Sequence, residues 1–337
     1  MDFPPLAVSL GDPAGVGPEL IAAAWARRDE EELLPFFVAG GADILRAAAQ
    51  TRGIFLPVTE IFHPAEALER FGDSLPVLAG ADGEYAPGVP NRAGAELALA
   101  SLTESTELVR TGEASALITA PIAKARLAEV GFDHPGQTEF VAAACSYAPG
   151  DAVMMLAGTT LRTVPLTVHV ALKDVPALIT TALIERKARI VAMALYRDFG
   201  IENPRIVVAA LNPHAGEDGR MGREEIDIIA PAIAALAAEG IDITGPHSGD
   251  GLFTAHARSS YDAALCMYHD QALIPLKALE FDSGVNVTLG LPVVRTSPDH
   301  GTAFSIAGQN KADPGATIAA IRMAGLCALR RAGLYED

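Results

Sequence analysis

The chain has 337 residues, 50% of them hydrophobic, 20% charged and only 6% aromatic, with a formal net charge of -17. That length buries ample core for two domains or one large one, and the composition is that of an ordinary α/β protein and argues against disorder. The acidic balance offers no basic patch to neutralise phosphates, which works against nucleic-acid and anionic-membrane binding.

In chain order, Leu6 to Leu10 reads as a short strand. The turn Gly11-Asp12-Pro13-Ala14-Gly15-Val16-Gly17-Pro18-Glu19 follows, with a helix from about Pro18 to Arg28. The turn is neither a Walker loop nor a GxGxxG fingerprint, so a tight strand-to-helix turn and a lining for a cofactor cleft both remain open. Pro35 to Ala39 reads as a strand and Gly41 to Arg52 as a helix. Pro57 to Pro90 is broken by Pro and Gly, and Asn91 to Arg110 is a long amphipathic helix. Ser115 to Thr119 is a strand, and Lys124, in the first turns of the next helix, reads as a surface lysine.

Gly131 to Glu139 looks like a crossing between domains. Its Thr138 and Glu139 could cap the helix that runs to Tyr147, or Gln137 and Thr138 could donate to a phosphate at that helix N-terminus. Asp151 to Gly158 and Leu161 to His169 are β-rich, and a helical pair runs from Leu172 to Phe199. Arg205 to Leu211 is a strand, Arg223 to Glu239 a helix and Ile241 to Thr244 a short strand. A turn-rich loop then carries Asp250. Ala263 to Tyr268 has strand length and composition, and Asp313 and Pro314 open a last helix that ends at Gly333.

His169, His214 and His269 each lie just past a predicted strand. Three neutral imidazoles from three strand ends can converge on a divalent cation and leave positions open for substrate. Singly, such a histidine is more often a hydrogen-bonded side chain, and no HExxH spacing is present. Lys277, Asn286 and Arg295 are donors set in apolar or Gly/Pro-punctuated sequence, which suits a small anion. Cys145, Cys266 and Cys327 lack CxxC spacing, and neither a secretory leader nor a run of about 18 apolar residues is evident, so a cytoplasmic protein is expected.

Asp299-His300-Gly301-Thr302-Ala303 through Ile306-Ala307-Gly308 and Asn310 resembles the adenine-binding loop of the isocitrate and isopropylmalate dehydrogenase superfamily. Small residues let backbone groups approach a flat ring, and Asn310 offers its edge a donor and an acceptor. Together with residues 11–19, Gly-Gln-Thr-Glu at 136–139, Asn-Pro-His-Ala-Gly-Glu at 212–217 and Tyr-His-Asp-Gln at 268–271, the 284–310 block resembles the 4-hydroxythreonine-4-phosphate dehydrogenase family of pyridoxal phosphate biosynthesis. The likeness covers nearly the whole chain.

The resemblance implies a two-domain α/β subunit of the isocitrate/isopropylmalate dehydrogenase-like fold, with the active site in the interdomain cleft and at a homodimer interface. The expected domains are 1–135 with 281–337, and 136–280, the latter carrying the dimer contact. His169, His214 and His269 match metal ligands for zinc, magnesium, cobalt or manganese, and Gln137, Thr138, Lys277, Asn286 and Arg295 match substrate contacts. His300, Gly301, Thr302, Ala303, Ile306, Gly308 and Asn310 would hold NAD or NADP. Gln137 stands where the family usually has histidine, and glutamine donates a hydrogen bond but cannot become cationic. Asp250, Asp270 and Lys277 are candidate proton acceptors for oxidation of 4-phosphooxy-L-threonine, Asp270 being equally readable as an orienter of a ligand histidine. The rivals are a dehydrogenase of D-threonate or D-erythronate 4-phosphate on the same fold, a three-histidine metal hydrolase and a non-catalytic binding protein.

Overall fold

The computed structural model describes residues 3–335 and is α/β throughout. It divides into two compact units, one ending at Ala152 and resuming at Leu291, the other spanning Val153–Gly290.

The first unit holds β1 (Leu6–Ser9), β2 (Phe36–Ala39), β3 (Val58–Ile61), β4 (Leu75–Leu78), β5 (Leu117–Thr119) and β12 (Arg295–Pro298), in the order β3-β4-β2-β1-β5-β12. Every pair in that run is parallel. A parallel sheet is covered on both faces, so its strands read as near-continuous apolar runs, as Phe36-Phe37-Val38-Ala39 does with all four residues buried. The covering helices include Gly17–Ala26, Arg92–Thr111 and Gly315–Arg331. The Asn91 side chain accepts from the Gly94 amide to start the second of these.

The second unit holds β6 (Val153–Ala157), β7 (Arg162–Thr167), β8 (Ile206–Ala209), β9 (Ile243–His247), β10 (Ala263–Tyr268) and β11 (Val285–Leu289), in the order β11-β6-β7-β10-β8-β9. β6 runs antiparallel to β11 and β7, whereas β7, β10, β8 and β9 are mutually parallel. The carboxyl ends of those four strands therefore share one edge, where ligands of α/β sheets collect. No helix among the described residues is long and apolar enough to cross a membrane.

The expected boundaries at 135/136 and 280/281 move to 152/153 and 290/291. The helix Gln137–Ala144 stays with the first unit because Val141 and Ala142 enter the core formed by Phe37, Leu117 and Leu291. Residues 285–289 stay with the second because β11 pairs with β6 over its full length. The helix expected from Arg223 begins as a π-helical turn, Glu225–Ile229, and becomes α-helical at Ala230. β9 reaches His247 through Pro246, which is tolerated because, among the described residues, this edge strand has β8 as its only neighbour in the sheet order. The Gln137–Ala144 helix starts at Gly136 with no side-chain cap, so neither Thr138 nor Glu139 serves as one.

Candidate functional site

Side-chain ties fix the parallel strand ends of the second unit to one another. The Thr167 hydroxyl donates to the Met267 carbonyl at 2.9 Å, joining the ends of β7 and β10. Gln271 accepts from the Met267 amide and donates to the Ala210 carbonyl, both at 2.7 Å, joining β10 to the end of β8. These ties hold steady the backbone from which the histidines project. His169 follows β7 with φ 55°, and His269 opens the helix His269–Leu279. Their ring centroids lie 5.8 Å apart and both line one pocket. Asp270 Oδ1 stands 2.7 Å from His269 Nδ1, the geometry of a carboxylate that orients an imidazole and turns Nε2 outward.

His214 follows β8 on an exposed turn and lines a neighbouring cavity of about 620 Å³ with Ser248, Asp250 and Asp270. The Ser248 hydroxyl donates to Asp250 Oδ1 at 2.6 Å. That hydrogen bond, with His214 adding a smaller pull, holds the Asp250 carboxyl below the usual carboxylate range. Leu172 and Ile274 line the same cavity, 65% and 63% exposed. Among the described residues, no group of three or more metal-ligating side chains comes together. In one chain His169 and His269 thus lie close together, with His214 in the next pocket. Lys277 lies half-buried in the last turn of the 269–279 helix, and Asn286 on β11 keeps a buried Oδ1 without a hydrogen-bond partner.

In the first unit, Arg295 begins β12 and is 3% exposed. Its Nε and Nη2 donate to Thr119 Oγ1 at 3.1 and 2.6 Å, and its Nη1 to Thr138 Oγ1 at 3.3 Å. Burial pushes its pKa down to about 10, with Glu139 pulling the other way. Gln137 Nε2 donates to the Ala120 carbonyl at 3.2 Å, and its Oε1 is buried and unpartnered. A buried guanidinium, two threonine hydroxyls and an uncapped helix N-terminus together favour a small, doubly charged anion. The sequence-predicted Gln137, Thr138 and Arg295 are thereby brought together.

The loop from His300 to Asn310 packs directly on the glycine turn after β1. The Val16 amide donates to the Thr302 carbonyl at 2.9 Å, and Ala303 and Ile306 pack against Val16, Leu20 and Ala307. A Cβ on Gly15 would stand 2.8 Å from that carbonyl, so the close approach requires glycine. Ala303 and Asn310 adopt left-handed backbone, at φ 46° and 55°, which bends the loop and leaves Asn310 exposed. Glu19, of the same motif, is fully buried, and burial pushes its carboxyl up against the opposing pull of Arg52.

Sequence reasoning missed Thr119, Ser248 and Glu225. Thr119 follows Leu117, the register partner of Arg295, at the spacing that returns to the same face of the sheet, and that pairing joins strands far apart in sequence, so no local stretch signals it. Glu225 carried no signal either, since an acidic residue at a helix start ordinarily reads as a response to the helix dipole.

Residues 32–324 match the family described as "Pyridoxal phosphate biosynthetic protein PdxA". The chain is 62% identical over 328 residues to 4-hydroxythreonine-4-phosphate dehydrogenase of Erythrobacter litoralis (strain HTCC2594), covering 97% of this chain and 98% of that protein. It is 55% identical over 334 residues to the enzyme of the same name from Zymomonas mobilis, covering 99% and 98%. Among solved structures, that of 4-hydroxythreonine-4-phosphate dehydrogenase from Klebsiella pneumoniae matches with a TM-score of 0.85 at 36% identity, covering 96% of this chain and 98% of that one.

Proposed function

Because this chain belongs to the family of the pyridoxal phosphate biosynthetic protein PdxA, we propose that it oxidises 4-phosphooxy-L-threonine with a nicotinamide cofactor. The product is 2-amino-3-oxo-4-phosphooxybutanoate, a 3-oxo acid that loses CO2 to give 3-amino-2-oxopropyl phosphate. The observation that carries the reading is the buried Arg295 with Thr119 and Thr138, a donor set suited to a phosphate in a chain of net charge -17. Arg295, Thr138 and Gln137 take the phosphate, and Lys277 and Asn286 take the remaining polar groups of the substrate. His300, Gly301, Thr302, Ala303, Ile306, Gly308 and Asn310 hold the adenine end of NAD or NADP.

His169, His214 and His269 are the ligands for a divalent cation, zinc, magnesium, cobalt or manganese, whose charge when bound acidifies a neighbouring hydroxyl. The set is completed in a homodimer with shared active sites. Two features support this: the separation of His214 from the His169 and His269 pair within one chain, and the exposed Leu172 and Ile274 on the cavity that holds His214. A bound nicotinamide would supply the hydride acceptor, and Asp250, which stays ionised at neutral pH, would take the proton of the C3 hydroxyl. Asp270, committed to His269 Nδ1, orients that ring, and Lys277 is the other candidate acceptor. Free Cys145, Cys266 and Cys327 support a cytoplasmic setting.

The test is reduction of NAD and of NADP with 4-phosphooxy-L-threonine against D-erythronate and D-threonate 4-phosphates, with and without added divalent metal. Turnover of the amino acid alone supports the proposal. Turnover of the sugar acids instead would overturn it, and Gln137→His would then be the first reversion to make.

A further inference from the structure

His214 sits in a stretch of backbone that ordinary side chains avoid. His214, Ala215, Glu217 and Asp218 have φ of 51°, 53°, 44° and 56°, and Gly216 between them has φ 78°. Consecutive left-handed residues other than glycine persist only where their surroundings over-determine them. The glycine-rich sequence around them does not explain this, since four of the five carry a Cβ.

Against this segment packs the π-helical turn that starts at Glu225. This side chain is 3% exposed, and its Oε1 accepts from the Leu211 amide at 2.8 Å and the Asn212 amide at 2.7 Å. Its Oε2 accepts from Asn212 Nδ2 at 3.0 Å, and the same nitrogen donates to Glu224 at 2.7 Å. Ala210 is the last residue there to donate to the neighbouring strand segment, at the His247 carbonyl, so Leu211 and Asn212 are the next two amides after that bond. A Cβ on Gly216 would stand 2.7 Å from Glu225 Oε2, so the turn is closed tightly over the carboxylate. The π-helical start also fits, because single π-helical turns recur at functional sites.

We propose that Glu225 is the positioning residue for His214, its buried carboxylate holding the left-handed turn that keeps this imidazole on the Asp250 pocket. The part of the proposal that concerns metal binding rests on the reading of His214 as a ligand. Glutamine at 225 could still accept from the two amides through Oε1, but its Nε2 would face the donor Asn212 Nδ2. The effect is therefore graded, with alanine worse than glutamine.

The experiment compares wild type, His214→Ala, Glu225→Gln and Glu225→Ala as full-length protein. The His214 imidazole resonance, identified by its absence in His214→Ala, is followed without metal. Cobalt(II) alone is then titrated and read by its visible absorption. A shifted or broadened resonance in Glu225→Gln is expected, with cobalt affinity down about tenfold and more in the alanine variant. Ala215→Gly added to Glu225→Gln should recover part of the loss, because glycine accepts left-handed backbone without the Cβ penalty. Should Glu225→Ala fail to fold, the glutamine variant alone decides. An unchanged resonance overturns the proposal. So does wild-type cobalt affinity in both Glu225 variants when His214→Ala has lost it. If His214→Ala itself binds cobalt normally, the metal reading falls, and a shifted resonance still supports the positioning role.

Discussion

Arg295→Met separates a residue kept for ligand binding from one kept for the fold. In the free protein the guanidinium is 3% exposed and its pKa is pushed down to about 10, so keeping it charged costs about 3 kcal/mol against the unfolded chain. The sign follows from a base whose folded pKa is depressed. The cost is present in full below about pH 10 and lifts only as pH rises from there toward the ordinary guanidinium value. Methionine removes the charge at similar length but leaves the hydroxyls of Thr119 and Thr138 without that donor, at about 1 kcal/mol each. The balance is a gain of about 1 kcal/mol, or about 2 °C in Tm at pH 7.5. Ligand reverses the order: saturating phosphorylated substrate at about 100 times its Kd stabilises wild type by about 2.7 kcal/mol and the variant by nothing comparable. Thermal unfolding with and without substrate should therefore show the two proteins exchanging rank. A fall of more than about 5 °C in the ligand-free variant would show that Arg295 holds the fold together, and the reasoning would fail.

Glu280→Gln should lower stability at pH 7 by about 1–2 kcal/mol, because the carboxylate accepts from the Thr160 amide at 2.8 Å and from both the Thr159 and Thr160 hydroxyls. Burial opposes ionisation of Glu280, but the Thr160 and Thr159 donors hold its carboxyl below the usual range, so this stability is present above about pH 4.3 and lost as pH falls through the folded pKa. The gap to wild type in urea unfolding should accordingly shrink in acid, and a gap independent of pH would contradict the assignment. Glu19 has the opposite sign: burial raises its carboxyl, Arg52 opposes, and the nearby Tyr85 hydroxyl is itself pushed up to about 12. Its contribution is complete below about pH 4.3 and declines as pH rises toward the folded pKa, so Glu19→Gln should match wild type in acid and exceed it at pH 8. A variant less stable than wild type at pH 8 would mean that the ionised carboxylate is stabilising.

What the sequence discloses depends on how local the cause is. β10 was legible to the residue, because an apolar run between polar neighbours is its own evidence. The strand-end placement of His169 and His269 followed directly from the strands. The helix at 92–111 was legible from its periodicity and from Asn91, whose cap is a contact over three residues. The assignment of 136–152 to the wrong unit has a non-local cause. Val141 and Ala142 are committed by a core shared with Leu291 and Val293, which no window around residue 140 contains. The turn at 214–218 fails for the same reason. Its φ values contradict the local propensity of His, Ala, Glu and Asp, and the group that imposes them lies 14 residues beyond Leu211.

The histidines carry this argument one level further. Parallel pairing of β7, β10 and β8 explains why His169, His269 and His214 emerge on one edge, and that pairing is written in apolar strand sequence. Convergence on a cation demands more than a shared edge, since ligand atoms must approach a common point within about 2.0–2.1 Å of the metal. One chain brings two rings to 5.8 Å and directs the third into the neighbouring cavity, whose lining includes the exposed Leu172 and Ile274. A monomer gains nothing from exposing those two side chains beside a polar pocket, and a second copy laid over them would bury both and add imidazoles of its own. The same contact would then stabilise the pair and complete the donor set, so dilution to monomer and loss of metal should occur together.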